Sequence, residues 1–292
     1  MKQLSAALLV FFVSLQLASA DNYQLAPYKD KLFAYPATLE QSGSYRLLDY
    51  NKQRDIIARD KIPLRKTHQQ FVDEGVRWSR RVRSYKSPNG KFKYFSTGKK
   101  KGARVTVIWI HGLGGNRRQG VSDWTFGGNF NRLQNLMTKN KGILVSPDFT
   151  DFKDKGATDI KTLMTEYKRR SPEGSLILAC GSMGGGICWR LAEDPTTAAM
   201  MNGMFILGSH WHDDFLKSST IKKSGRTLPI YFGHGTKDVT FKAKVQRNFF
   251  NKIRKINPAY PARFIMFNKG VHGTPMRMVD WRTEINWMLS LK

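Results

Sequence analysis

The chain has 292 residues, of which 40% are hydrophobic and 12% aromatic, so it can bury a core and is not a disordered chain. The formal net charge of +27 predicts attraction to anions such as a membrane or envelope surface, acidic polysaccharide or nucleic acid. A merely solvated basic surface is the alternative. Only two cysteines are present, Cys180 and Cys188, which excludes a disulfide framework; we expect two free, buried thiols, because a bridge needs Cα atoms within about 7 Å.

Residues 1–20 have the pattern of a secretory signal. Lys2 precedes an apolar run at residues 8–13, and Ala18-Ser19-Ala20 matches the small-x-small cleavage pattern. We expect a mature chain that begins at Asp21 and is periplasmic or secreted; an uncleaved anchor or a buried first helix is the alternative. Residues 21–76 are polar and weakly patterned, and they predict an N-terminal extension with one short helix, packed on the main domain.

Residues 77–96 predict an antiparallel hairpin. Segments 77–86 and 92–96 alternate between apolar and polar residues around the turn sequence Ser87-Pro88-Asn89-Gly90. Residues 51–104 carry 17 Lys and Arg against 4 Asp and Glu, about half of the net charge. We expect the hairpin to concentrate the protein on an anionic membrane or envelope surface, although such charges also protect a sheet edge from pairing. The side chains concerned are Arg81, Arg83, Lys91 and Lys93, with the turn Lys99-Lys100-Lys101.

Six further apolar or β-branched segments alternate with helix-like stretches of about 20 to 30 residues. This alternation predicts an α/β domain over residues 77–292, with a mostly parallel eight-stranded sheet and helices on both faces. Residues 276–291 place apolar side chains at helical spacing and predict an amphipathic C-terminal helix. The predicted strands are 105–110, 142–146, 175–180, 204–207, 229–232 and 262–267.

A glycine-rich turn, Cys180-Gly181-Ser182-Met183-Gly184, directly follows the strand at 175–180 and opens a predicted helix over 183–193. A nucleophile on a sharp strand-to-helix turn needs small neighbours two residues before and after it, which Cys180 and Gly184 supply. The helix N-terminus stabilises negative charge on the serine oxygen. Ser182 is therefore the candidate nucleophile. A plain turn or a phosphate cradle is the alternative, but no Lys-Ser/Thr follows as in a P-loop.

Two other strand ends carry an acid and a base. Asp238 follows the strand at 229–232 and His272 follows the last strand, so both belong at the same edge of a parallel sheet as Ser182. His272 would accept the proton of Ser182, and Asp238 would orient the imidazole. Asp148, at the end of another strand, is the weaker alternative acid.

Loops around these ends supply candidate binding groups. The glycines of His111-Gly112-Leu113-Gly114-Gly115 let backbone amides approach a substrate, so the Leu113 and Met183 amides are the predicted oxyanion hole. Gly112, Trp124 and His210 are predicted to line the substrate site. Ser209-His210-Trp211-His212-Asp213-Asp214 could instead bind a metal, but a serine triad needs none, and we predict neither metal nor cofactor.

Together these motifs resemble the α/β-hydrolase superfamily, over about residues 77–292, and specifically its compact esterase and carboxylesterase-like members. The order Ser182, Asp238, His272 is the order of that superfamily. Only about 20 residues separate the strands ending at 207 and starting at 229, where members with a lid insert a cap, so the resemblance implies a capless enzyme.

We therefore expect a secreted serine hydrolase that cleaves a carboxylic ester, either a small molecule or a lipid, through an acyl-enzyme. The excess of positive charge favours an anionic or surface-bound substrate. The alternative is a catalytically idle protein of the same fold that binds anionic envelope polymers. Nothing in the sequence resembles a specific nucleic-acid-binding motif, and the sequence leaves the oligomeric state open.

Overall fold

The computed structural model describes residues 23–222 and 227–291; the predicted signal peptide at 1–20 lies outside these ranges. Within them, ten strands form one sheet and two more form a small separate hairpin. The strands are β1 (Thr38–Ser42), β2 (Tyr45–Leu48), β3 (Asp60–Ile62), β4 (Lys66–Thr67), β5 (Arg80–Ser87), β6 (Gly90–Gly98), β7 (Val105–Ile110), β8 (Ile143–Pro147), β9 (Ser175–Gly181), β10 (Gly203–Leu207), β11 (Ile230–Gly235) and β12 (Ala262–Phe267).

Helices cover both faces of the sheet. The strand order is β1-β2-β12-β11-β10-β9-β7-β8-β6-β5, parallel from β2 to β8 and antiparallel at the two ends. The helices are α1 (Asp30–Phe33), α2 (Asn129–Lys139), α3 (Asp154–Arg170), α4 (Gly185–Glu193), α5 (Pro195–Met200), α6 (Ser219–Lys222), α7 (Ala243–Ile256), α8 (Thr274–Met278) and α9 (Trp281–Ser290). No helix of the described ranges is long and apolar enough to cross a bilayer.

The strands are apolar on both sides because each side faces helices. In β7, Ile108 and Ile110 pack into the core formed with α3, α4 and α7, whereas Val107 and Trp109 pack into the core formed with α2, α8 and α9. The predicted α/β class, the hairpin and all six later strands are confirmed. The predicted C-terminal helix is divided in two, since Asp280 caps a new helix at Trp281.

The N-terminal extension contributes more than the predicted short helix. Its strand β2 pairs in parallel with β12, Tyr45 opposite Phe264, and β1 forms the sheet edge, so the sheet has ten strands rather than eight. A buried ion pair also joins Asp60 of the extension to Arg277, at 2.5 Å. Residues 23–76 thus share the core of the domain that follows them.

Cys180 and Cys188 form a disulfide, so the prediction of free thiols was wrong. β9 ends in a tight 3₁₀ turn at Ser182–Gly184, and the following helix α4 packs back on the sheet. This reversal brings the two Cα atoms to 6.4 Å, inside the range for a bridge. Both cysteines are fully buried.

Candidate active site

Ser182 stands on the sharp turn between β9 and α4. Its backbone φ is +52°, a left-handed conformation that a non-glycine residue adopts only when its surroundings enforce it. The Ser209 hydroxyl donates a hydrogen bond of 2.5 Å to the Ser182 carbonyl. A Cβ on Gly184 would lie only 2.6 Å from the carbonyl oxygen of Ile110, so the turn needs glycine at that position. Close packing against the end of β7 therefore fixes the turn.

The structure brings the predicted nucleophile, base and acid together. The Ser182 hydroxyl lies 2.9 Å from His272 Nε2, and His272 Nδ1 lies 2.8 Å from Asp238 Oδ2. Because a carboxylate only accepts, the Nδ1–H group donates a hydrogen bond to Asp238, and Nε2 can then accept a hydrogen bond from the Ser182 hydroxyl. The three side chains thus form one continuous hydrogen-bond relay.

Asp238 is held as a carboxylate. Burial raises its pKa, but the hydrogen bond from His272 and that from the Phe241 amide outweigh burial, so the pKa lies below its usual value. His234 Nε2 donates to the Phe241 carbonyl at 2.6 Å and also lies 3.4 Å from Asp238 Oδ2. Burial lowers the pKa of His234, which keeps this second imidazole neutral beside the acid.

Asp148 has a different partner. Its carboxylate accepts from the Arg117 amide at 2.8 Å and pairs with the Arg117 guanidinium at 2.5 Å. His272 therefore bonds Asp238 and not Asp148, which removes the alternative acid. Within residues 23–222 and 227–291, no three metal-ligating side chains converge on one point.

The peptide between Gly112 and Leu113 is fixed beside the nucleophile. A Cβ on Gly112 would lie 2.7 Å from Ser182 Cβ, so only glycine allows this approach. The Gly112 carbonyl accepts from the Gly115 amide at 3.0 Å and from His111 Nδ1 at 2.9 Å. In a trans peptide the Leu113 N–H points opposite to that carbonyl. This geometry suits the predicted oxyanion role of Leu113 through its backbone, and its side chain is 77% exposed.

Met183 directly follows Ser182 and stands in the first turn of the 3₁₀ segment that leads into α4. Amides of a first helical turn have no partner within the helix and can bind an anion. Burial lowers the pKa of His111, so its imidazole stays neutral while it donates to the Gly112 carbonyl. Sequence reasoning missed this positioning role of His111.

Phe241 forms a wall beside the base. Its ring centroid lies 5.8 Å from that of His272 and 5.6 Å from that of His210. The Phe241 ring is thus a neighbour both of His272 in the triad and of His210, which was predicted to line the site. Phe241 could not be predicted as a site residue, because nothing in the sequence of its loop distinguishes it from an aromatic residue that only packs in the core.

Trp124 contacts Lys66 and Thr67 rather than the three residues of the relay. Lys66 Nζ lies 4.9 Å from the Trp124 ring centroid, and the Trp124 carbonyl accepts from the Thr67 amide. Two residues later, the Phe126 ring lies 3.8 Å from the position that a Cβ on Gly273 would take, beside His272. Phe126, rather than Trp124, therefore approaches the catalytic loop, and a substrate contact of Trp124 stays a prediction.

The site is open to solvent. The His272 side chain is 28% exposed. Between β10 and β11, the described residues form a 3₁₀ segment, Asp213–Lys217, and the short helix α6 rather than a large cap.

Several solved structures that match this architecture are described as hydrolases, at low sequence identity. An esterase from Pyrococcus furiosus matches with a TM-score of 0.55 and 15% identity, over 74% of this chain and 94% of that chain. A serine hydrolase without a lid from Xanthomonas campestris matches with a TM-score of 0.51 and 13% identity, over 72% and 94%. S-formylglutathione hydrolase from Staphylococcus aureus matches with 0.50 and 13%, over 72% and 96%. No protein-family model and no curated protein sequence matches the chain. By its sheet topology and these structural matches, the chain has the α/β-hydrolase fold.

Proposed function

We propose that the protein is a serine hydrolase that cleaves carboxylic esters through an acyl-enzyme on Ser182. The observation that carries this proposal is the relay from Ser182 through His272 to Asp238, with distances of 2.9 and 2.8 Å. The left-handed turn at Ser182 supports it, because strain of this kind persists where function requires it. The names of the structural relatives, esterases and serine hydrolases, agree with this chemistry.

In the first half-reaction the Ser182 oxygen attacks the ester carbonyl carbon while its proton passes to His272 Nε2. The carbonyl oxygen becomes an oxyanion, which the Leu113 and Met183 amides stabilise; one such donor contributes about 3 to 4 kcal/mol in the transition state. The bond to the alcohol then breaks, and His272 returns the proton to the departing oxygen. An acyl ester on Ser182 remains.

In the second half-reaction water attacks the acyl group while its proton passes to His272. The bond to Ser182 breaks, the carboxylic acid leaves, and the serine recovers its proton. Asp238 keeps the imidazole oriented and stabilises its charged form throughout. No metal or cofactor is needed for either half.

We also propose that the protein acts outside the cytoplasm. The signal-like residues 1–20 support this, and so does the disulfide between Cys180 and Cys188, since disulfides persist mainly in oxidising compartments. Mass spectrometry of the exported protein should find Asp21 at its N-terminus.

Fluorophosphonate labelling of the purified protein tests the chemistry. Wild type should be labelled, and Ser182→Ala should not be labelled while its thermal unfolding stays unchanged. Ser84→Ala is the matched control, because it removes an exposed serine hydroxyl on β5 that bonds only the Phe92 carbonyl and leaves the relay intact; it should still be labelled. Undiminished labelling of Ser182→Ala would end the proposal. An idle protein that only binds anionic envelope polymers predicts no labelling of wild type.

A further inference from the structure

The small hairpin formed by β3 and β4 has an exposed tip with an unusual composition. Its six residues, 61–66, are called the anchor loop here, with the sequence Lys-Ile-Pro-Leu-Arg-Lys, and all six are exposed. Ile62 is 47% and Leu64 62% exposed. Three cations flank these apolar side chains, and the loop contains no acid. Apolar groups flanked by cations are the composition of segments that lie at a lipid–water boundary.

The backbone holds Leu64 outward in a strained conformation. Its φ is +62°, which a bulky residue rarely adopts and which Asn or Gly would adopt more easily. The Asp60 carboxylate stabilises this turn by accepting the Leu64 amide at 2.8 Å, and the Arg65 amide donates to the Ile62 carbonyl. A leucine that is both strained and exposed does not stabilise the isolated fold. Its presence at this position therefore points to a contact with another molecule or with a surface.

The base of the loop is held by buried contacts of Arg59 and Asp60. The second oxygen of Asp60 pairs with the buried Arg277 at 2.5 Å. The Arg59 guanidinium lies between the rings of Phe33 and Phe71, 4.6 Å from each centroid, and donates to the Gly127 carbonyl. When the anchor loop is bound, the rest of the domain is therefore oriented with it.

The anchor loop lies at the same edge of the molecule as the catalytic groups. Arg277, which holds its base, belongs to α8, and its amide donates to the carbonyl of Gly273, next to His272. Exposed apolar residues continue along this edge beside the triad: Leu113 at 77%, Val239 at 91% and Val271 at 53%.

The arginines of the β5–β6 hairpin, which the sequence favoured as part of the basic surface, are less available for this contact. Its Arg80 binds Asp123 and Gln134, Arg81 binds backbone carbonyls, and Arg83 binds the Ser96 hydroxyl. Lys99 lies at the opposite edge of the sheet, where its amide bonds the Gly142 carbonyl ahead of β8.

We propose that the anchor loop docks the protein on a lipid surface with anionic headgroups and so turns the active site toward that surface. Ile62 and Leu64 enter the boundary between headgroups and acyl chains, while Lys61, Arg65 and Lys66 remain at the level of the phosphates. Docking itself does not depend on catalysis. The further step, that the ester substrates are lipids presented by this surface, rests on the proposed function.

The binding test uses the full mature chain carrying Ser182→Ala, with co-sedimentation on vesicles of mixed phosphatidylcholine and phosphatidylglycerol. Pure phosphatidylcholine vesicles are the reference. We expect Leu64→Asn to weaken partition to the mixed vesicles about tenfold, as removal of a half-exposed leucine implies. Lys61→Gln with Arg65→Gln should weaken it roughly 25-fold at low salt, about fivefold for each cation.

Two controls match these variants at the opposite edge. Lys99→Gln with Lys100→Gln removes the same charge, and Trp78→Ser removes a larger apolar side chain that is 85% exposed. Both should bind as tightly as the parent. Leu64→Asn should also keep or raise the melting temperature, because it relieves the strain at that position.

Absence of binding to mixed vesicles at low salt overturns the proposal, as does equal weakening by the anchor-loop and control variants, which would mean nonspecific attraction. Normal binding by Leu64→Asn and by the double cation variant also overturns it. Failure of the hydrolase proposal is a separate result: the wild type would bind vesicles but take no fluorophosphonate label.

Discussion

Replacing Cys180 and Cys188 together by alanine removes the covalent link between β9 and α4. The cysteines are eight residues apart, and a loop of that length restricts the unfolded chain enough to contribute about 2 to 3 kcal/mol. A domain of this size loses about 2 to 4 °C of melting temperature for each kcal/mol. We therefore expect the double variant, and the reduced wild type, to melt roughly 5 to 10 °C lower than the oxidised protein.

Activity should change much less than stability. The Ser182 carbonyl is still held by Ser209, and Gly112 still packs against the Ser182 side chain. Ester hydrolysis well below the melting temperature should therefore stay close to wild type, while the half-life of activity on heating falls. If kcat collapses at room temperature instead, the disulfide positions the nucleophile and our assignment of that task to Ser209 and Gly112 is wrong.

The assay is thermal unfolding with and without reductant, combined with thiol titration in denaturant. The untreated wild type should show no free thiol, and the reduced protein should show two. Reductant should not shift the melting temperature of the double alanine variant, which serves as the control. Full reduction without a change in the melting temperature of the wild type would refute the reasoning.

Three further variants test the site and its support. Asp238→Asn should lower kcat by about four orders of magnitude without unfolding the protein, because an amide cannot hold the Nδ1–H form of the base in place. Gly112→Ala should abolish fluorophosphonate labelling and keep the far-UV circular dichroism, since its Cβ would lie 2.7 Å from Ser182 Cβ. Burial raises the pKa of Asp123, but hydrogen bonds from Asn131, Arg77 and Arg80 outweigh burial and lower it. Its stabilising contribution is therefore present above the unfolded value of about 4 and is lost as pH falls through the folded value. In urea titrations, Asp123→Asn should be less stable than wild type at neutral pH and lose less stability below pH 4.

The sequence predicts the structure best where the residue types of a segment reflect the burial of that same segment. Strands β7 to β12 are continuous apolar runs because both of their sides are buried, so their positions followed from composition. Parallel strands place their carboxyl ends at one edge, which is why Ser182, Asp238 and His272 could be grouped before any distance was known.

The parts that could not be predicted depend on partners distant in sequence. β1 and β2 are short, and every residue of β1 is exposed, so nothing in their composition marks them as strands. The bridge between Cys180 and Cys188 depends on how far the turn at Ser182 reverses the chain. The anchor loop could not be predicted, because Ile62 and Leu64 are exposed only since no distant segment of the chain packs over them.

The pairing of β2 with β12 has a consequence for how the molecule is made. Tyr45 meets Phe264, more than two hundred residues later in the chain, so the sheet cannot be completed until nearly the whole polypeptide has been synthesised. Contacts of such long sequence separation slow folding and leave strand edges open in the meantime. If the protein is exported as we propose, this delay favours export, because the nascent chain stays incompletely folded until its last strand emerges.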